Sequence, residues 1–322
     1  MGKKYNICLD IGGTKVLGAV FNSKDKMLCK IKKRSTEKGN SSENIEQVII
    51  SVTKELIEKA NIKLSQVNAI SAGVPGIINS DTGVVLFTPN LPWKNYDLKS
   101  AIEKEFGTKF YLGNDVNVGV LGEYKYGAAR GYKHVVGFFI GTGVGGGLIL
   151  NKKLFTGNQF KAGEYGHMTM DENGLQCGCG NKGCLETYSS KKGMAKYILG
   201  EVAKGRKSMM SEYIDENGVF KSKYLKAAVE AKDEVALEAI DRACHYLAIG
   251  TGNMINALSP DCVIYGGGVM EAMGDLFLEK ILKEVDKFTM PSIRESTEIK
   301  IASLGDYSNI YGSLAMIKQA EK

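Results

Sequence analysis

Hydrophobic residues recur along this chain with two periods, and together they predict an alternation of strands and helices. Apolar runs at 5–11 and 134–140 each lead into a glycine-rich turn, and a second apolar run follows each turn. A strand, a tight turn and a second strand predict a hairpin. Because this unit occurs twice in one chain, we expect two related domains.

Helical spacing of apolar residues marks much of the remaining chain. Residues 44–62 repeat apolar positions every three or four residues after the candidate cap residues Ser41 and Ser42. Asp97 is expected to cap a short helix that ends at Gly107. Further helices are predicted at 188–202, 223–231, 234–258 and 306–320, and strands at 67–72, 109–112 and 261–265. This alternation predicts an α/β fold, whose ligands bind beyond the carboxyl ends of the strands.

Composition narrows the possible partners. The 322 residues suffice for two domains, and the net charge of +6 is modest. Lysines cluster at 24–34, but no aromatic residues alternate with them, so we expect a solvated face and no nucleic-acid partner. The most apolar window, 135–150, is too short and too rich in glycine for a membrane span. Seven cysteines, an odd number, and an N-terminus without a signal-peptide pattern favour the reducing cytoplasm.

One segment combines a histidine with three closely spaced cysteines. His167, Cys177, Cys179 and Cys184 supply one imidazole and three thiolates, which is the ligand set of a closed tetrahedral zinc site. Four protein ligands leave no open position, so we expect a structural Zn²⁺ that fixes a loop and does not activate water. The alternative is a group of free thiols or a disulfide, although a Cys-x-Cys pair is too close for an unstrained bridge.

The first glycine turn follows an apolar strand in Asp10-Ile-Gly-Gly-Thr-Lys15. Gly12 and Gly13 allow backbone N–H groups to approach phosphate oxygens, and Thr14 and Lys15 add a hydroxyl and a positive charge. Asp10, at the strand end, is a candidate to orient Mg²⁺ through water. A plain hairpin turn is the alternative interpretation.

Two further glycine turns have the same two interpretations. The second turn begins with Gly141, Thr142 and Gly143 and is a candidate to clamp a polyphosphate together with the first. The third turn follows the strand at 261–265 and is a candidate floor for a purine ring; its residues are Gly266, Gly267 and Gly268. Glycine turns are also common punctuation between elements.

An amide and a carboxylate adjoin at the end of the strand at 109–112. Asn114 and Asp115 can fix two sugar hydroxyls, and Asp115 can accept the proton of the attacking hydroxyl. The alternative for this pair is a turn or a helix cap. Glu164, His167 and Glu186 would complete a polar cluster for a polyhydroxylated ligand, with one ring nitrogen of His167 on the metal and the other facing the ligand.

In order and spacing, these motifs resemble the ROK family (repressor, open reading frame, kinase), from Asp10 to beyond Gly268. The resemblance implies an actin-like ATPase (ribonuclease H-like) fold of two α/β domains, with ATP in the cleft and a hexose below it. It implies domains of 1–118 plus about 306–322 and of 119–305. By position, Asp115 resembles the catalytic base, and the residues that resemble sugar contacts are Asn90, Asn114, Glu164, His167 and Glu186.

Within the family, the cysteine segment and the insertion at 208–224 are most similar to glucokinases of the Gram-positive type. The resemblance implies a homodimer or homotetramer that converts glucose and ATP to glucose 6-phosphate and ADP. Repressors of the family carry a helix-turn-helix domain before the first glycine turn, and nine residues precede Asp10 here, which favours a kinase. The alternatives are a kinase for N-acetylmannosamine, N-acetylglucosamine, fructose or mannose, polyphosphate as the donor, and a sugar-sensing protein without catalysis.

Overall fold

A computed structural model describes residues 4–13, 15–34 and 41–321, and it divides the chain into two compact units. Unit 1 contains Met1–Arg130, Leu154–Ala162 and Tyr307–Lys322, and unit 2 contains Gly131–Lys153 and Gly163–Asp306. The predicted boundary after residue 118 falls inside a helix of unit 1. Residues 154–162, predicted for the second domain, also belong to unit 1.

The strands and helices alternate along the chain as the α/β prediction requires, and the fold class is confirmed. The strands are β1 (Tyr5–Ile11), β2 (Lys15–Asn22), β3 (Met27–Arg34), β4 (Val67–Val74), β5 (Ile77–Asn79), β6 (Val84–Phe87), β7 (Lys94–Asp97), β8 (Lys109–Asn114), β9 (Val135–Ile140), β10 (Val144–Leu150), β11 (Lys153–Leu154), β12 (Cys262–Gly266) and β13 (Glu298–Ile301). The helices are α1 (Ser42–Lys59), α2 (Leu98–Phe106), α3 (Asp115–Tyr126), α4 (Glu186–Ser189), α5 (Lys191–Ala203), α6 (Ser222–Glu230), α7 (Glu234–Leu258), α8 (Met270–Val285), α9 (Pro291–Arg294) and α10 (Ser308–Ala320).

Unit 1 is built on a five-stranded sheet of order β3-β2-β1-β4-β8. The strand β1 pairs with β2 antiparallel and with β4 parallel, and β4 pairs with β8 parallel. Side chains of successive residues in β1 point to opposite faces: Ile7 and Leu9 share a core with Ile49 of α1, whereas Cys8 shares another with Ile310 of α10. Helices therefore cover both faces, and the carboxyl ends of β1, β4 and β8 meet at one edge.

A second five-stranded sheet, which contains the strands of unit 2, repeats this arrangement with the order β11-β10-β9-β12-β13. The strands β9 and β10 form an antiparallel hairpin, and β12 pairs parallel with both β9 and β13. Its core joins Phe138 of β9 to Leu247 of the 25-residue helix α7 and Phe277 of α8. The hairpin followed by parallel strands thus occurs in both units.

The structure breaks one predicted helix and contains elements that were not predicted. The helix predicted at 188–202 is broken at Ser190, whose ψ of 167° is extended and whose side chain accepts a hydrogen bond from the Gly193 N–H to cap α5. The small sheet β5-β6-β7 and the helix α8 were not predicted. Within the described residues, no helix is both long and apolar enough to cross a membrane.

Candidate active site and metal centre

The first glycine turn closes the β1–β2 hairpin of unit 1. The Gly12 N–H donates to the Lys15 carbonyl at 2.8 Å, so the turn is held by its own backbone. The side chain of Asp10 is half-buried, and its Oδ1 accepts a hydrogen bond of 2.9 Å from Asn309 Nδ2 of α10. Asn309 could not be predicted as a partner of Asp10, because it lies almost 300 residues away in the chain. Thr14, a predicted phosphate contact, lies outside the described residues.

Gly13 brings this turn against the loop that carries Asn90. A Cβ on Gly13 would lie 3.3 Å from the Cβ of Asn90, and Asn90 is exposed. The loop is anchored by Thr88, whose N–H donates to the Trp93 carbonyl at 3.2 Å and whose hydroxyl donates to the Leu91 carbonyl at 2.6 Å. Trp93 is buried and stacks on the ring of Tyr96. The predicted phosphate turn and the predicted sugar loop are therefore neighbours.

Asn114 and Asp115 lie at the junction of β8 and α3. The Asn114 Oδ1 accepts from the Asn117 N–H at 3.0 Å and caps α3, so the cap interpretation is correct as a description of the backbone. The Asn114 amide donates to the Gly76 carbonyl at 2.9 Å and to Asp115 Oδ1 at 3.2 Å. The Val116 N–H donates to that same Oδ1 at 2.9 Å. Asn114 therefore positions the Asp115 carboxylate, a role that the sequence did not suggest.

Asp10 and Asp115 lie at the same edge of the sheet in unit 1. Asp10 of β1 is opposite Gly73 of β4, and a Cβ on Gly73 would lie 3.4 Å from the Asp115 Cα. Neighbouring strands are about 4.8 Å apart, so the carboxyl ends of β1, β4 and β8 bring the two acids to one side of the sheet. That distance is an ordinary van der Waals contact, so the backbone at Gly73 packs directly beside Asp115. The edge thus carries two carboxylates close together.

The second glycine turn of unit 2 is joined to Glu186. The Gly141 N–H donates to the Gly143 carbonyl at 2.9 Å, and Thr142 is exposed at the tip. The Val144 N–H donates to Glu186 Oε2 at 2.9 Å. A Cβ on Gly143 would lie 2.2 Å from that oxygen, so glycine is required for the approach. Glu186, predicted to face the sugar, also fixes the turn.

The third glycine turn packs on the strand that leads into the second. Gly267 has a φ of +87°, and a Cβ there would lie 2.6 Å from the Ile140 carbonyl. The ring of Phe139 lies against Gly266, and the Val269 N–H donates to the Ile140 carbonyl at 3.2 Å. The structure therefore brings the two turns predicted for the nucleotide together within unit 2. It adds Lys191, whose backbone N–H donates to the Gly141 carbonyl at 3.0 Å and which the sequence analysis missed.

The four predicted metal ligands of unit 2 converge. Their ligand atoms all lie within 4.8 Å of one another, and two atom pairs are 3.7 Å apart: Cys177 Sγ with His167 Nδ1, and Cys179 Sγ with Cys184 Sγ. With Zn–S bonds of about 2.3 Å and Zn–N bonds of about 2.0 Å, the edges of a tetrahedral site are about 3.5–3.8 Å long. The thiols are free, and the spacing is far from the ~2.05 Å of a disulfide. The donor set and its spacing fit a tetrahedral metal.

Tight turns of the backbone hold these ligands. The Cys177 N–H donates to the Asn181 carbonyl at 2.8 Å, and the side chain of Gln176 donates to the Gly180 carbonyl at 3.0 Å. Gly183 has a φ of +64°, and a Cβ there would lie 1.6 Å from the Asp171 carbonyl. Gly183 is therefore required both by its backbone conformation and by the lack of space for a side chain.

His167 lies between the cysteines and Glu164. Its Nδ1 faces Cys177, and its Nε2 is 3.9 Å from Glu164 Oε2. Glu164 is exposed and His167 is half-buried. The ring can therefore bind a metal through one nitrogen and keep the other toward the acid, as its two predicted roles require.

Comparison with known proteins identifies the family. Residues 6–320 match the family model described as ROK family, which is nearly the whole chain. The chain belongs to the ROK family. Two named relatives of this ROK protein differ in function. A glucokinase of Halalkalibacterium halodurans is 31% identical over 322 residues, covering 100% of this chain and 97% of the relative. A xylose repressor of Caldicellulosiruptor bescii is 30% identical over 279 residues, covering 87% of this chain and 69% of the repressor.

A solved structure of a ROK glucokinase from Streptomyces griseus, in complex with glucose and AMPPNP, matches with a TM-score of 0.82. It is 27% identical, and the match covers 98% of this chain and 99% of that one. The actin-like ATPase fold predicted from the motifs is therefore confirmed for this ROK protein.

Proposed function

We propose that this ROK protein is an ATP-dependent sugar kinase that transfers the terminal phosphate of ATP to the primary hydroxyl of glucose. The products are glucose 6-phosphate and ADP. One observation carries the proposal: Asp10 and Asp115 lie at the same sheet edge, beside a glycine turn. The relative named glucokinase, aligned over the full chain, supports glucose as the acceptor.

Asp115 is the base in this proposal. Its Oδ1 is held by the Asn114 amide and the Val116 N–H, so the carboxylate is oriented before the sugar binds. Phosphoryl transfer passes through a loose transition state, and catalysis depends mainly on positioning and on charge. Asp115 therefore orients the sugar hydroxyl toward the phosphorus and takes its proton as the new P–O bond forms. Asn114 serves this step by fixing Asp115.

The glycine turns supply the phosphate contacts. Within unit 1, the backbone N–H of Gly13 is proposed to donate to phosphate oxygens and Lys15 to add charge, while the Gly12 N–H holds the turn through the Lys15 carbonyl. Within unit 2, the backbone N–H groups of Thr142 and Gly143 are proposed to contact phosphate in the same way. Asp10, fixed by Asn309, would hold Mg²⁺ through water. When bound, Mg²⁺ neutralises charge on the transferring phosphate.

Unit 2 supplies the sugar contacts. Glu164, His167 and Glu186 offer two carboxylates and an imidazole, which are suited to paired hydroxyl groups. Within unit 1, the amide of Asn90 is proposed as a further sugar contact. A structural zinc ion, held by His167 and the three cysteines, would fix the loop that carries these residues, since four protein ligands leave no position for substrate.

Two alternatives to glucose phosphorylation are considered. One is a kinase for N-acetylmannosamine, N-acetylglucosamine, fructose or mannose, or one that uses polyphosphate in place of ATP. The other is a sugar-binding protein without catalysis, which the repressor relative favours. A homodimer or homotetramer in the cytoplasm stays a prediction, and light scattering of the purified protein would measure the assembly.

The test is the rate of ADP release with each sugar in turn, measured as kcat/KM in a coupled assay. One substituent at C2 can decide the fit of a sugar, so the panel separates these substrates sharply. We expect glucose to have the highest kcat/KM and ATP to be the effective donor. A higher kcat/KM for another sugar would reassign the acceptor. Sugar binding by calorimetry without any sugar-dependent ADP release would support the non-catalytic alternative.

A further inference from the structure

Lys191 joins the second and third glycine turns within unit 2. It is the first residue of α5, and its backbone N–H donates to the Gly141 carbonyl at 3.0 Å. Its side chain runs toward the third turn, where Nζ is 3.7 Å from the position of a Cβ on Gly268. One residue thus holds the start of one turn through its backbone and reaches the other turn with its ammonium group.

The surroundings of the ammonium group call for an anionic partner. The side chain is half-buried, and within the described residues it makes no salt bridge. Burial lowers the pKa of Lys191, while the charge of Glu271 raises it. Placing a charged ammonium in a partly desolvated position is unfavourable unless a charge compensates it. The charge of Glu271 offsets only part of this cost, because the pKa of Lys191 is lowered overall, and a ligand with negative charge between the two glycine turns would offset more of it.

The first turn of α5 adds to the attraction for an anion. The side chain of Ser190 caps the Gly193 N–H, and the 13-residue helix α5 begins where Lys191 meets Gly141. Unpaired N–H groups at a helix start carry partial positive charge. The start of α5 therefore lies at the second turn, and the ammonium group of its first residue lies at the third.

We propose that Lys191 binds the phosphate groups of the nucleotide. The inference rests on the proposed kinase function and extends it, because it names a charged contact outside the glycine motifs. Lysine binds phosphate as a point charge with three donors, so the contact suits a polyphosphate whose position varies slightly as it reacts. The ammonium group contributes to affinity for the phosphates and not for the purine or ribose.

The experiment measures calorimetric affinities of ATP, ADP, AMP and adenosine for three proteins: wild type, Lys191→Met and Lys192→Met. Methionine keeps the length of the side chain and removes its charge, and the Gly141 contact is unaffected because it is made by the backbone. Lys192 is exposed and adjacent in sequence, so it serves as the matched control. We expect Lys191→Met to lower the affinities for ATP and ADP by about tenfold, which is the effect expected for loss of a charged hydrogen bond. Adenosine affinity and all Lys192→Met affinities should stay near wild type.

Two results would overturn the inference alone. One is unchanged ATP and ADP affinity in Lys191→Met, and the other is an equal loss for adenosine, which would mean that Lys191 acts through packing. Absence of nucleotide binding by the wild type would instead overturn the proposed function, and this inference with it. Thermal unfolding without ligand checks that the variant is folded, and Lys191→Gln replaces it in the same comparison if it is not.

Discussion

The carboxylate of Glu186 accepts a hydrogen bond of 2.9 Å from the backbone N–H of Val144. This bond joins α4, which follows the last cysteine of the metal centre, to the second glycine turn. A residue proposed to bind the sugar therefore also fixes the backbone proposed to bind phosphate. Within unit 2, the two functions share one carboxylate.

Substitution at Gly143 tests this link. A Cβ on Gly143 would lie 2.2 Å from Glu186 Oε2, so Gly143→Ala should displace the carboxylate and break its bond to Val144. We expect the KM for glucose to rise about tenfold, the loss expected for one charged hydrogen bond. Steady-state kinetics with glucose and ATP varied separately provides the measurement.

Gly141→Ala is the matched control for that change. Nothing lies within 4 Å of a Cβ on Gly141, so this variant should leave Glu186 in place. Its KM for glucose should stay near the wild-type value, even if the added methyl group weakens the binding of ATP. Equal effects of the two variants on the glucose KM would refute the link through Glu186.

Asn114 separates the capping of α3 from the orientation of Asp115. Asn114→Ser keeps a side-chain oxygen for the Asn117 N–H but loses the amide that donates to Gly76 and Asp115. Asn114→Ala loses both. We expect the alanine variant to lose about 1 kcal/mol more stability than the serine variant, because it alone loses the cap. Both variants should have a lower kcat. Chemical denaturation measures the stability of each variant, and steady-state kinetics measures its kcat. A serine variant with full kcat would show that the amide does not orient Asp115.

The sequence predicted the parts of the site that depend on local chemistry. The cysteine spacing indicated a convergent ligand set, and the structure brings those four ligand atoms within 4.8 Å. The cap residues Ser41 and Asp97 were also predictable, since a cap acts within three residues along the chain. Local patterns are readable because their partners lie nearby in the sequence.

The contacts that position the site were not predictable in this way. Asn309 meets Asp10 only because α10 packs beside β1, and Lys191 meets Gly141 only because α5 starts at the second turn. The break at Ser190 was missed because the apolar positions on either side continue a helical spacing. Such features depend on tertiary packing, which overrides local propensity.

The metal centre is tested with Cys179→Ser. Cys179 is exposed while Cys177 and Cys184 are buried, so serine at 179 disturbs packing little and mainly removes a ligand. We expect wild type to hold about one zinc per chain, and the variant to lose zinc, thermal stability and glucose affinity together.

Cys29→Ser in unit 1 is the control, because Cys29 lies apart from the metal ligands in the sheet of that unit. It should keep both zinc and glucose affinity. Elemental analysis of the purified protein measures the metal. Full activity in wild type that contains no metal would contradict the structural role of zinc.

Close packing of α3 on α10 is tested by Gly122→Ala. A Cβ on Gly122 would lie 2.1 Å from the Ser308 carbonyl, a backbone atom that cannot move without shifting α10. We expect a loss of about 2–4 kcal/mol in the free energy of unfolding. Gly200→Ala in α5 meets nothing within 4 Å and should gain about 0.5–1 kcal/mol from helix propensity. Denaturant titrations of both variants measure these changes. An unchanged free energy of unfolding in Gly122→Ala would contradict close packing of α3 on α10.

In the proposed reaction, Asp115 accepts the proton of the sugar hydroxyl. The most direct test is Asp115→Asn, which keeps the shape of the side chain and removes its charge. Sugar-dependent ADP release with glucose gives kcat, and calorimetry gives glucose affinity for the same protein. We predict that kcat falls by about 10²–10⁴-fold, as expected for loss of a general base, while glucose still binds. A variant that binds glucose and turns over at nearly the wild-type rate would contradict the account.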